Sequence, residues 1–221
     1  MQKKIKKERK KVQVKRVKQI ISLLRKEIGK TTTAVHSKNP FKVLIATLLS
    51  QRTKDINTEK AVKNLFSRFN SIRDFLKADI KEIEKLIRCV GFFKVKAKRI
   101  KKLAKIIHEK YHGKVPKDFD RLVKLPGVGR KTANCVLVYG YRIPAIPVDT
   151  HVHKISNRLG LVKTKTPEQT EMALKKVVPK EYWIELNELM VKFGQRKCLP
   201  RNPKCSECSL KKICAYKKAR K

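Results

Sequence analysis

Leu125-Pro126-Gly127-Val128-Gly129-Arg130-Lys131-Thr132, followed by Val148-Asp149-Thr150-His151, is the stretch on which the fold turns. Pro126 ends a helix at about Leu125, because a proline disfavours helical angles in the residue before it. Gly127 and Gly129 permit the backbone angles and the close approach of a narrow turn. From Arg130 a second helix starts, and its free N–H groups and dipole face outward toward an anion. Phe119–Val138 therefore reads as helix, tight turn, helix. Such a unit grips one phosphate through the backbone of Gly127, Val128, Gly129 and Arg130 without reading base sequence.

Lys131 stands just past the turn, and a carboxylate, Asp149, follows 18 residues later. Lys131 has two readings, a further phosphate contact or an amine nucleophile. A nucleophilic lysine must shed its proton, since a free lysine at about 10.4 is almost fully charged at neutral pH. A neighbouring cation and partial burial both favour the neutral amine. Asp149 follows Pro147, whose fixed backbone can aim it. It reads as the N-cap of a helix starting at Thr150, as a charge facing developing positive charge, or as both.

The rest of the chain agrees with a polyanion partner. Its 221 residues hold 58 Lys and Arg against 18 Asp and Glu, a net charge of +40. Charge of this size repels itself in the compact state and attracts nucleic acid. Apolar content of 41% is enough for a core. No run approaches about 18 apolar residues, so no membrane span is expected. The basic N-terminus has no apolar stretch behind it, so a secretory signal is not expected and a cytoplasmic location is.

Helical periodicity dominates. Val17, Ile20, Ile21, Leu24 and Ile28 follow the i, i+3, i+4 pattern, as do Val62, Leu65, Phe66 and Phe69. So do Ile83, Leu86, Ile87 and Val90, then Ile100, Leu103, Ala104 and Ile107, and later Leu186, Leu189, Met190 and Phe193. Gly29, Gly91, Gly113, Gly140, Gly160 and Gly194 fall near the expected helix ends. Val43–Leu49 reads as a buried helix. Val136–Val148, broken by Pro144 and Pro147, reads as a helix ending near Tyr139 and then an extended loop. Residues 1–16 carry nine Lys and Arg against one Glu, either a frayed arm or the start of a helix. The fold class is all-α.

Cys198, Cys205, Cys208 and Cys214 form C-x6-C-x2-C-x5-C within 17 residues. Four thiolates this close indicate a metal site rather than disulfides. Structural zinc usually pairs two short knuckles, and only Cys205 and Cys208 form one here. The spacing favours iron–sulfur, with zinc the alternative. Cys89 and Cys135 lie on apolar helical faces and are expected in the core. His151 and His153 lack a third ligand and are not expected to bind metal.

Together these residues resemble the endonuclease III family of the helix-hairpin-helix Gly-Pro-Asp DNA glycosylases, from about Val17 to Tyr216. The most specific parts are Leu125–Asn134, Val148–His151 and the four-cysteine spacing. The resemblance implies two helical lobes with DNA bound in a cleft between them. One is a six-helix barrel with the hairpin, residues 38–143. The other joins residues 15–37 to 144–221 and carries a [4Fe–4S] cluster, while residues 1–14 form a basic tail. It implies a monomer acting on double-stranded DNA that contains damaged bases or abasic sites. Oxidised pyrimidines such as thymine glycol would be excised, with Lys131 and Asp149 as the catalytic pair. Leu48-Leu49-Ser50-Gln51-Arg52-Thr53-Lys54-Asp55 resembles the segment that fills the gap left by a flipped base, with Gln51 and Arg52 the two candidates to enter it. Phe92 falls where the family has a wedge loop, against which stands a place in the core.

Three alternatives remain. A mismatch or alkylated-base glycosylase could use the same scaffold. A non-catalytic, metal-stabilised DNA-binding protein would not need Lys131 and Asp149 together. A basic ribosome-associated protein leaves the four cysteines unexplained.

Overall fold

The computed structural model describes residues 2–29 and 37–218. Among these residues all regular structure is helical, with no strand. In chain order the helices are α1 (Gln2–Ile28), α2 (Pro40–Ser50), α3 (Asp55–Arg68), α4 (Ile72–Lys77), α5 (Ile80–Leu86) and α6 (Phe93–Tyr111). They continue with α7 (Phe119–Val123), α8 (Arg130–Cys135), α9 (Thr150–Arg158), α10 (Pro167–Val177), α11 (Trp183–Arg196) and α12 (Ala215–Lys218). The chain divides into two compact units, Met1–Thr31 with Ile146–Lys221, and Thr32–Ala145.

The Thr32–Ala145 unit is built around α2. Asn39 caps it, its Oδ1 accepting from Phe41 N at 2.9 Å and Lys42 N at 3.2 Å, and Pro40 occupies its first turn. Phe41, Val43, Leu44, Ile45, Ala46, Leu48 and Leu49 are all buried, so the helix is covered on nearly every side. Its one buried hydroxyl, Thr47, donates to Val43 O at 2.8 Å. Phe41 meets the rings of Phe66 and Phe75, and Phe75 also meets Phe66 and Phe69, edge-on or tilted with centroids 5.0 to 6.4 Å apart. Such pairs add about 0.5–1.5 kcal/mol each beyond area burial. α8 runs on into one π-helical turn, Val136–Gly140, before the chain leaves regular structure. That turn packs on α2 so closely that a Cβ on Gly140 would lie 2.9 Å from Pro40 Cα.

The other unit buries the stripe of α1, Val17, Ile20, Ile21, Leu24 and Ile28, with Val152, Ile155, Leu174, Leu186, Met190 and Phe193. Of the two readings of the basic N-terminus, residues 2–16 take the helical one, while Met1 lies outside the described residues. Gly194 lies within α11 because of packing rather than as a terminator. A Cβ there would overlap His151 Nδ1, so the imidazole carried by α9 lies directly against the backbone of α11. Cys135 is buried as expected, but Cys89 is only half-buried, its thiol donating to Asn57 O at 3.4 Å. The α5 helix ends at Leu86, and Cys89 sits in the turns that follow, where the apolar face no longer covers it.

Candidate active site and metal centre

The first helix of the hairpin, α7, closes at Val123, two residues before the expected end. Leu125 N donates to Leu122 O at 3.0 Å and Val128 N to Leu125 O at 3.1 Å, which draws the chain into a tight turn. Leu125 and Val128 are buried and root that turn in the core. Gly127 has φ +77°, the left-handed region that glycine occupies freely. A Cβ there would also press to 3.1 Å from Arg99 Cδ. Gly129 differs: φ is −89° and ψ 177°, and no atom lies within 4 Å of where a Cβ would be. It is the N-cap of α8 and provides no side-chain cap. Lys131 follows in the first turn, half-buried, ahead of the buried Thr132, Ala133, Asn134 and Cys135 that fix the helix. Arg130 lies 4.7 Å over the Phe119 ring, tying the two hairpin helices together.

Two loops of the same unit lie beside one another. Gln51 Nε2 donates to Gly127 O at 3.3 Å, so this side chain is engaged with the hairpin turn. Arg52 is exposed, with φ +51°. Its guanidinium lies 5.8 Å from the centroid of Phe92, which has φ +58° and is 61% exposed. Phe92 therefore is no core residue. A non-glycine residue in the left-handed region costs about 1–2 kcal/mol, and two adjacent loops each hold one. Beneath them lies a residue that motif reasoning missed. Lys96 is buried, and its Nζ donates to Leu49 O at 2.8 Å, Gln51 O at 2.6 Å and Thr53 Oγ1 at 3.0 Å. Burial, with Arg99's charge adding to it, pushes its pKa down to about 8.

Asp149 belongs to the other unit. Its Oδ1 accepts from Val152 N at 2.8 Å and so caps α9, leaving Oδ2 without a partner among the described residues. The segment before it is pinned by Asn187 Nδ2, which donates to Pro147 O at 2.9 Å. His153 Nδ1 pairs with Thr170 Oγ1 at 2.6 Å, and His151 lies against Gly194. Both histidines are thus occupied in packing.

Cys198, Cys205, Cys208 and Cys214 line one small pocket with Phe193, Leu210, Tyr216 and Arg158. Burial pushes the Cys198 and Cys208 thiols up, opposed at Cys198 by the hydrogen bond and charge of Arg158. Unligated, the Cys198 and Cys208 thiols therefore favour the protonated form, and a bound metal cation is what holds such sulfurs as thiolates. The donor set is four soft sulfurs, which suits an iron–sulfur group. Arg158 ties down the first ligand loop. Its Nη1 donates to Leu199 O at 2.8 Å and reaches Cys198 Sγ at 3.4 Å, and its Nη2 donates to Pro200 O at 3.0 Å. Its plane lies 4.9 Å from Tyr216, and Cys214 Sγ donates to its carbonyl at 3.4 Å.

Comparison with known proteins agrees with both halves of this picture. The HhH-GPD superfamily of base excision DNA repair proteins matches residues 45–180, and the iron–sulfur binding domain of endonuclease III matches residues 198–214. Endonuclease III of Thermotoga maritima is 50% identical over 202 residues, covering 91% of this chain and 95% of that protein. A solved structure of a trapped endonuclease III–DNA covalent intermediate shares 38% identity. It covers 92% of this chain and 98% of its own, with a TM-score of 0.83. A thermostable thymine-DNA glycosylase structure shares 26% identity over 93% of this chain and 98% of its own, also with a TM-score of 0.83.

These matches define a helix-hairpin-helix glycosylase of base excision repair, a DNA glycosylase with AP lyase activity. Within that class the chain belongs to the endonuclease III family. Its cofactor is the [4Fe–4S] cluster of that family.

Proposed function

We propose that the chain excises oxidised pyrimidines such as thymine glycol from double-stranded DNA and cuts the strand at the resulting site, working as a monomer. The hairpin carries this reading, because it sets an amine and an anion cradle on one short helix. The backbone at Gly127–Arg130 takes a phosphate, and the open space over Gly129 gives it room to approach. Lys131 Nζ attacks C1′ of the flipped nucleotide, the bond to the base breaks, and the base leaves with a proton. The amine and the opened sugar form a Schiff base, whose loss of a C2′ proton expels the 3′ phosphate.

Asp149 keeps its cap through Oδ1 and has Oδ2 to face the positive charge that develops on the sugar. Arg52 is the better candidate for the vacated stack, since it is exposed while Gln51 is bonded to Gly127. Phe92, exposed beside it, enters the opposite strand. Cys198, Cys205, Cys208 and Cys214 hold the cluster, which ties their loop into a fixed shape. The cations around that loop, Lys204, Lys211 and Lys212, meet phosphate. No membrane-crossing helix exists among the described residues.

The test is borohydride reduction with an oligonucleotide bearing thymine glycol. Hydride reduces the Schiff base to a stable amine, so a covalent protein–DNA adduct is expected. Base release without an adduct would instead assign water as the nucleophile. The thymine-DNA glycosylase relative makes a mismatch substrate the second oligonucleotide to try.

A further inference from the structure

Arg52 and Phe92 hold left-handed backbone that neither residue favours, and such strain persists only where its surroundings over-determine it. The restraint is a small buried network. Lys96 has three N–H donors, and each has an acceptor: Leu49 O and Gln51 O at the end of α2, and Thr53 Oγ1 just past Arg52. The two carbonyls are those a helix leaves unpaired at its C-terminus, where a cation is also favoured by the helix dipole. Thr53 completes the link. Its hydroxyl donates to Gln51 O at 3.3 Å and accepts from Gly91 N at 3.3 Å. Arg52 is thus bracketed by two bonded residues, and the loop of Phe92 is stitched to the same hydroxyl. The fit is close enough that a Cβ on Gly91 would lie 3.0 Å from Arg52 O.

We propose that Lys96 is a positioning residue for damage recognition: through Leu49, Gln51 and Thr53 it clamps the Arg52 and Phe92 loops together in the strained form that enters the DNA stack. This rests on the reading of those two loops given above. Lys96 does not touch DNA; it acts through the backbone it holds. Without it, both loops relax to ordinary angles and must be re-strained on each encounter with a paired lesion. Where the stack is already open, that cost matters less, because insertion no longer has to displace a paired base.

The experiment compares Lys96→Met, Thr53→Val and Arg52→Ala in the full-length, cluster-loaded protein. Each is assayed for kcat and KM on thymine glycol in a fully paired duplex and on the same lesion within a mismatched bubble. Lys96→Met is expected to lose on the order of tenfold in kcat/KM on the paired site, the factor that one released left-handed residue corresponds to. On the bubble the loss is expected to be within about twofold. Thr53→Val keeps the lysine and removes one acceptor, so it shows the same selectivity at smaller size. Equal losses on both substrates in a folded Lys96→Met protein would overturn the clamp and leave Lys96 a folding element. If Lys96→Met does not fold, Thr53→Val decides, and a ratio like the parent's overturns the proposal. Arg52→Ala separates the two readings. If it shows no preference between substrates, the insertion role of the loop fails, and the clamp with it. If Arg52→Ala is selective and the other two are not, only the clamp fails.

Discussion

Gly129→Ala separates folding from DNA binding at a single atom. A Cβ at position 129 meets nothing within 4 Å, and φ −89° with ψ 177° is extended backbone open to any residue. Alanine there restricts the unfolded chain, which stabilises by about 0.4–1 kcal/mol. Position 129 is also the N-cap of α8, where alanine ranks below glycine by a comparable amount, so the two effects offset and Tm should move by no more than about 2 °C. Gly127→Ala is destabilising on both counts. At φ +77° a Cβ costs about 1–2 kcal/mol, and the contact with Arg99 Cδ adds to it, so Tm falls by roughly 2–8 °C. If a phosphate docks on the amides around Gly129, the added methyl blocks it. Hydrogen bonds to a charged group contribute about 1.5–3 kcal/mol, so losing one weakens binding roughly tenfold to a hundredfold. The loss should be equal on all sequences. The slope of affinity against salt should stay unchanged, because no cation has been removed. Calorimetry and fluorescence anisotropy on an abasic-site analogue read the two effects separately. A Gly129→Ala protein with a Tm near the parent's and parental affinity would refute phosphate docking at this turn.

Lys131→Gln should abolish strand cleavage and borohydride trapping while leaving binding nearly intact, since affinity comes from many phosphate contacts; gel assays of adduct and nicked strand check this. Asp149→Asn should keep its cap, as asparagine caps as well as aspartate, yet lower excision by on the order of a hundredfold in single-turnover kinetics. A fall in Tm instead, with the rate kept, would make Asp149 a cap alone. Cys208→Ser should lose the broad visible absorption of the cluster and the fold of residues 198–214, read by iron content and proteolysis. Folding strips a proton from Lys96 between its pKa of about 8 and the ordinary 10.5, so its contribution to stability rises with pH across that window. The Tm difference between parent and Lys96→Met should therefore shift in the parent's favour from pH 8 to 10.5.

Elements that depend on local chemistry were legible in the sequence. The stripe of α1, the apolar run of α2, the hairpin turn and the cysteine spacing each declare themselves within a short stretch of chain. What stayed hidden depends on distant partners. Lys96 is one of 58 basic residues and looks solvated, yet it continues the buried register of Ile100, Leu103 and Ile107 one turn further. That register was the available signal, and the acceptors of α2, more than 40 positions away, carry none. Arg158 meets carbonyls of Leu199 and Pro200 that have no sequence signature at all. The left-handed angles of Arg52 and Phe92 run against residue preference, so only tertiary restraint can reveal them.

The glycines show why motif and packing must be argued apart. Gly127, Gly129 and Gly194 look alike in the sequence, each beside a helix end. Gly127 is required by the backbone angle of the turn, and Gly194 by the imidazole of His151 lying where its Cβ would be. Nothing inside the protein requires Gly129. A position whose folded state would accept a methyl, beneath an uncapped helix start on a chain of net charge +40, points to a requirement from outside the chain. His151 gives the same logic in reverse. Gly194→Ala should displace the imidazole and with it the first turn of α9 that carries Asp149, so excision should fall while hairpin binding persists. Loss of hairpin binding together with excision would mean that the whole unit had unfolded, and the separation argued for these glycines would not hold.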